Sequence, residues 1–350
     1  MPTFRTAQVT ELISERRGLQ RVRVRMPDGA DARAYVLTQL VGGCGVGDTV
    51  VVNTTAVELG LGTGGWHVVH WNLAHEEFVS PGPEHIMKLR YTSLQFDAGT
   101  DELSHPECDD PLGQIPVVVC SVHSQVATAA LAFHALQPDG RLVYVMTDGA
   151  SLPLAMSDLV AQLSDSGVLA GTVTAGHSFG GDLEAVTVAS ALGLATHTLR
   201  ADTILVGMGP GVVGTGTRLG TTAIEVAPIL DIVAALGATP IMCVRASDGD
   251  PRGRHAGISH HSVTSAGLSS ANPWVAAVPP ETADLPGVRV AAAPEVPDAA
   301  DLMTRSGIAV TTMGRSVDED PLFFAAAAAA GALAAEMLRT GSHLSAPGAP

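Results

Sequence analysis

From residue 4 to about 75, apolar and polar positions alternate over short runs, most plainly at Val22-Arg23-Val24-Arg25, and Pro27-Asp28-Gly29 and Gly42-Gly43 interrupt them. Period-two alternation broken by turn residues is the pattern of strands half buried on one face. It predicts a small β-barrel-like module. Residues 76–113, rich in Pro, Gly and acids, then lose the pattern and are expected to form a connector or lid.

Beyond residue 113 the period changes. Short β-branched runs at 116–120, 142–146, 169–174, 240–244, 288–292 and 308–312, with one more at about 202–208, predict seven strands. Helical repeats of three and four separate them at 123–136, 157–163, 224–236 and 321–338. Strands alternating with helices predict an α/β fold with a doubly wound, mostly parallel sheet. The expected layout is therefore a β-rich module at 1–75, a connector at 76–113, an α/β domain at 114–340 and a fraying tail at 341–350.

The densest chemistry lies at 169–220, where two apolar runs each break into glycines before what reads as a helix. Gly176-His177-Ser178-Phe179-Gly180 fits G-x-S-x-G, the turn that lifts a nucleophilic serine above a sheet. The spacing from Asp248 or Asp250 to His260 or His261 is short for the rest of a triad. No HGGG-type segment precedes the serine, and Asp182 and Glu184 would oppose an oxyanion. Gly209 to Gly214 is a formal G-x-G-x-x-G without the ribose-binding acid about twenty residues on. Gly207, Gly209, Gly211, Gly214, Thr215 and Gly216 instead suggest a loop of N–H and hydroxyl donors for an anion, with Gly180 and Gly181 contributing from the neighbouring turn.

A third constellation, RASDGDPRGRHAGISHHS at 245–262, follows a strand. Arg252 and Arg254 are candidate anion clamps, and His260 and His261 candidate acid–base groups, with His177, Asp148 and Asp182 on adjacent strand ends. Asp248, Asp250, His255 and His123 are the candidate ligands if a divalent metal ion is the cofactor, although the spacing matches no standard zinc motif.

The motifs TAGHSFGGDLEAV, GMGPGVVGTGT and RHAGISHHS, with TDGASLPLAMSD and MGRSVDEDP beside them, resemble an uncharacterised bacterial family, domain of unknown function 3866. The resemblance extends over nearly the whole chain, including the N-terminal β region. It implies a distinct family and brings no activity or catalytic residue with it.

Composition narrows the partners. A formal charge of −16 with only 19 Lys and Arg disfavours nucleic acid, and four scattered cysteines suggest neither a disulfide framework nor a zinc ribbon. With 46% hydrophobic residues, 4% aromatic residues and a mean hydropathy of +0.27, a large core is expected. The longest apolar stretch, from Phe323, is mostly alanine and predicts a packed helix rather than a membrane span, so a cytoplasmic location is expected. Its small residues also suit a homodimer contact. The leading expectation is an enzyme, a hydrolase or transferase, acting on a small anionic metabolite, phosphorylated or not. A serine hydrolase centred on Ser178 and a non-catalytic metabolite sensor or assembly protein stay open beside it.

Overall fold

A computed structural model describes residues 2–83, 85–291 and 295–341. The segment expected to fray lies outside these from residue 342 onward. The chain forms two compact units, Met1–Gly99 and Thr100–Pro350, so the division falls within the segment read as a connector.

In the first unit, β1 (Phe4–Arg16), β2 (Leu19–Arg25), β3 (Asp31–Leu37), β4 (Thr49–Asn53) and β5 (Trp66–Asn72) close a barrel in the order β1-β2-β3-β5-β4. The alternation explains it: Val22 and Val24 are buried, while Arg23 and Arg25 point outward to Glu11 and Asp31. Outside, Tyr35 stacks on Trp66 at 4.6 Å, and the Arg33 guanidinium covers the same indole at 4.7 Å.

The second unit is an eight-stranded sheet of β6 (Pro116–Cys120), β7 (Leu142–Thr147), β8 (Gly171–Ala175), β9 (Leu183–Ala185), β10 (Thr203–Met208), β11 (Thr239–Cys243), β12 (Trp274–Ala276) and β13 (Arg289–Ala291). The order is β9-β8-β7-β10-β6-β11-β12-β13, and every ladder is parallel. Both faces are covered, which is why strands such as PVVVC are continuously apolar. Val118 and Cys120 face a layer that includes α1 (Gln125–Leu136), α2 (Asp158–Asp165), α6 (Ala299–Ser306) and α7 (Pro321–Thr340). Val117 and Val119 face α3 (Val188–Gly193), α4 (Val226–Ala235) and α5 (His260–Leu268).

Two local expectations are corrected. The turn after β8 leads into β9, not a helix. Thr172 and Thr174 donate their hydroxyls to Asp182 at 2.9 Å and Glu184 at 2.7 Å, a period-two ladder of side chains that suits parallel strands. A helix starts only at Val188, capped by Thr187 and Ser190. The run at 308–312 is irregular apart from a bridge between Thr312 and Arg315. Ile308 instead follows the left-handed Gly307 that ends α6 and is buried among the helices of that layer. The pattern missed two strands of the sheet, Leu183–Ala185 and Trp274–Ala276.

Helix α7 has the length and apolarity of a membrane span, but 72% of its most apolar window is buried inside the unit. It lies along α1, and Gly331 comes up against the Ala129 carbonyl with no room for a Cβ. The small-residue surface considered for a dimer is thus used to pack α7 within its own unit.

Strands β7 and β10 are neighbours, yet α2 after β7 and α4 after β10 pack on opposite faces. Their carboxyl ends therefore diverge into the crevice where doubly wound sheets hold ligands.

Candidate functional site

The floor of the crevice is tied together by buried polar groups. Gln125, wholly buried, accepts from the Ser121 and Val122 amides and donates to the carbonyls of Cys243 and Val244 at 3.3 and 3.1 Å, joining the ends of β6 and β11. His123 places Nδ1 3.0 Å from the Met208 carbonyl and Nε2 2.7 Å from the Ser157 hydroxyl. Ser157 caps α2 through the same oxygen. Burial brings His123 down to about 4, so it is neutral at physiological pH. With both nitrogens engaged, it fastens β6 to β10 and α2 rather than presenting a lone pair to a metal.

At the end of β7, Thr147 donates to Glu225 at 2.7 Å, and Gly149 lets the same carboxylate approach its backbone. Burial, with the charge of Asp148 nearby, pushes Glu225 up to about 7 despite the Thr147 hydrogen bond. Asp148 accepts from the His177 amide at 3.0 Å, so these two predicted residues meet beside Glu225. Glu225 was not foreseen. Its only sequence signal was an acid at the start of the otherwise apolar VAPILDIVAAL helix, and such acids usually serve the helix dipole.

The loop from β10 to α4 is a narrow excursion, not an open cradle. Thr215 N bonds the Gly220 carbonyl at 2.8 Å and Thr222 N the Val213 carbonyl at 2.9 Å, while the Thr215 and Thr217 hydroxyls meet at 2.9 Å. Gly209, Gly211, Gly214 and Gly216 keep amides without a hydrogen bond among the described residues. Gly216, at φ +83°, lies against the Arg254 guanidinium, whose Cζ is 3.6 Å from where a Cβ would stand. Gly207 is different, since it lies within β10 against Cys120 and its carbonyl accepts from Tyr144.

The β11–α5 segment folds back through a hairpin pairing Ala246–Ser247 with Gly257–Ile258. Ser262 accepts from the Arg245 amide, and Ser259 N donates to the Arg245 carbonyl, both at 2.8 Å. Ser259 then caps α5 by accepting from the His261 amide. The result gathers His255, His260 and His261, with ring centroids 5.0, 5.0 and 4.4 Å apart pairwise. Burial, reinforced by Arg245, lowers His255 to about 4 and His261 to about 3. Burial and then Arg254 lower His260. All three are neutral near pH 7.

Several predicted residues are occupied elsewhere. Asp250 is clamped by Arg252 at 2.8 and 2.6 Å and reached by Arg315 at 3.2 Å. The Arg252 hydrogen bonds hold it well below the usual carboxylate range against burial. Arg252 is thereby used as an internal clamp and Asp250 as its counter-ion. Asp248 receives the Leu322 amide at the start of α7. Beside it Asp320, wholly buried, accepts from Ser247, Arg315 and two backbone amides. Asp182 bonds Thr172 near the amino end of β8, away from the carboxyl edge. Gly180 and Gly181 spend their amides on Glu184 and Thr174. Ser178 is wholly buried and donates to the Leu152 carbonyl at 2.9 Å, so the hydrolase-like pentapeptide is a structural turn.

The short turn Thr222–Glu225 packs against α5, which brings the Glu225 end of the crevice alongside the histidine cluster. No curated protein and no solved structure matches the chain. A family described as "Protein of unknown function (DUF3866)" matches residues 33–331.

Proposed function

The chain belongs to this family, DUF3866, and from that premise we propose that its α/β unit is an enzyme acting on a small oxyanion-bearing metabolite held at the carboxyl ends of β10 and β11. The observation that carries the reading is Arg254. It is exposed, has no hydrogen-bond or ion-pair partner among the described residues, and lies against Gly216 in a loop whose Gly211, Gly214 and Gly216 amides are also unspent. A guanidinium beside free amides matches phosphate or carboxylate oxygens.

Glu225 favours catalysis over passive binding. A buried carboxylic acid brought up to about 7 exchanges its proton near neutrality, as general acid–base work requires. Asp148 and His177 are next to it, and His260 is the neutral imidazole on the Arg254 side. The anion would be fixed by Arg254 and the loop amides while Glu225 takes or returns a proton.

Thermal unfolding in inorganic phosphate, at matched ionic strength and with a chelator present, tests the binding step. Phosphate should raise the wild-type Tm and leave Arg254→Ala unmoved. Losing an exposed, unpaired side chain should itself change stability by no more than about 0.5 kcal/mol. Equal shifts in both proteins would overturn the assignment.

A further inference from the structure

His255, His260 and His261 each offer one ring nitrogen, and the three atoms lie within 4.8 Å of one another. His255 and His261 are more than nine-tenths buried, and no carboxylate hydrogen-bonds any of the three rings among the described residues. Three neutral imidazoles packed together, His255 and His261 edge to face and His260 tilted against both, make poor core filling. The Nε2 of His260 is buried and has no hydrogen-bond partner, a deficit that native proteins seldom leave without a purpose.

His255 is oriented as ligand histidines usually are, and His261 is held by a donor instead. His255 Nδ1 is 2.7 Å from the Ser259 hydroxyl oxygen, which already accepts from the His261 amide. With His255 Nδ1–H donating to that oxygen, the lone pair is on Nε2. His261 Nδ1 is 3.1 Å from Arg245 Nη1, and a guanidinium only donates, so this nitrogen also carries a lone pair. We propose that His255, His260 and His261 form a three-histidine site for a zinc-class divalent cation, with the fourth position left for water or an anion oxygen. An all-nitrogen donor set selects zinc-class metals over magnesium or calcium, which take oxygen ligands.

Arg245 sets the character of the site. Its guanidinium must release His261 when a cation enters, and Asp250, 3.9 Å from Nη2, is the counter-ion it keeps. Zinc bound here is opposed by that charge, and an oxyanion would offset the repulsion. The cation site stands without the anion reading, because its donors all come from the protein.

The test uses the full chain, stripped with chelator, in phosphate-free buffer. Titration with Co²⁺ should give one equivalent per chain, with the intense visible bands of a four-coordinate ion that Zn²⁺ then abolishes. His260→Ala, the least buried of the three, should weaken binding by at least about 100-fold while the far-ultraviolet circular dichroism stays native. Should His260→Ala unfold, His255→Gln supplies the same comparison. Absence of Co²⁺ bands in the wild type, or bands unchanged in a folded histidine variant, would overturn the proposal. Neither result bears on phosphate binding measured with chelator present.

Discussion

At the amino end of α4, Glu225 is held by Thr147 and crowded by Gly149, and its proton is coupled to folding. Its unfolded value is near 4.5 and its folded value about 7, so the folded chain binds the extra proton between those limits. The stability it contributes is complete below the unfolded value and lost as pH rises through the folded one, a change of about 3 kcal/mol. Glu225→Gln keeps an acceptor for Thr147 and carries no charge. The variant should therefore gain about 3 kcal/mol relative to wild type between pH 4.5 and pH 8, read by urea unfolding at each pH. A constant difference across that range would mean that Glu225 ionises normally. At the same scale, Arg252 and Arg254 look alike in the sequence, two residues apart in one loop. Only their neighbours separate them: Asp250 claims the first, and the second meets a glycine.

Among the elements, the parallel strands and the long helices were legible because continuous apolar runs and 3.6-residue periods leave few alternatives. The segment after β8 was not, since strand β9 is written in carboxylates bonding threonines ten residues back, a pairing visible only once the strands are adjacent. The same holds for Asp182: near a glycine turn it suggests chemistry, but pairing places it at the amino end of β8. Helix α7 was recognised, while its function as the spine packed on α1 came from contact. Gly331→Ala makes that measurable. In an exposed helix this change would stabilise by about 1 kcal/mol. Here the new methyl meets the Ala129 carbonyl, so a net loss of about 2 kcal/mol is expected, together with a lower Tm. A rise in Tm would show that the two helices are not in such close contact.

Across the whole molecule, the candidate site was legible as a neighbourhood and not as a mechanism. The loops at 207–220 and 245–262 do lie side by side, because β10 and β11 flank β6 in the sheet. Which side chains remain available depends on partners far along the chain, such as Asp320 and Arg315 for Asp250 and Ser247. No spacing rule anticipates that. The residues of the proposed oxyanion site all lie in the second unit. The most direct measurement is anomalous diffraction from crystals soaked in tungstate, a phosphate-like oxyanion. A peak within hydrogen-bond reach of Arg254 and the Gly211–Gly216 amides is predicted; an ordered tungstate bound elsewhere, with that edge empty, would contradict the account.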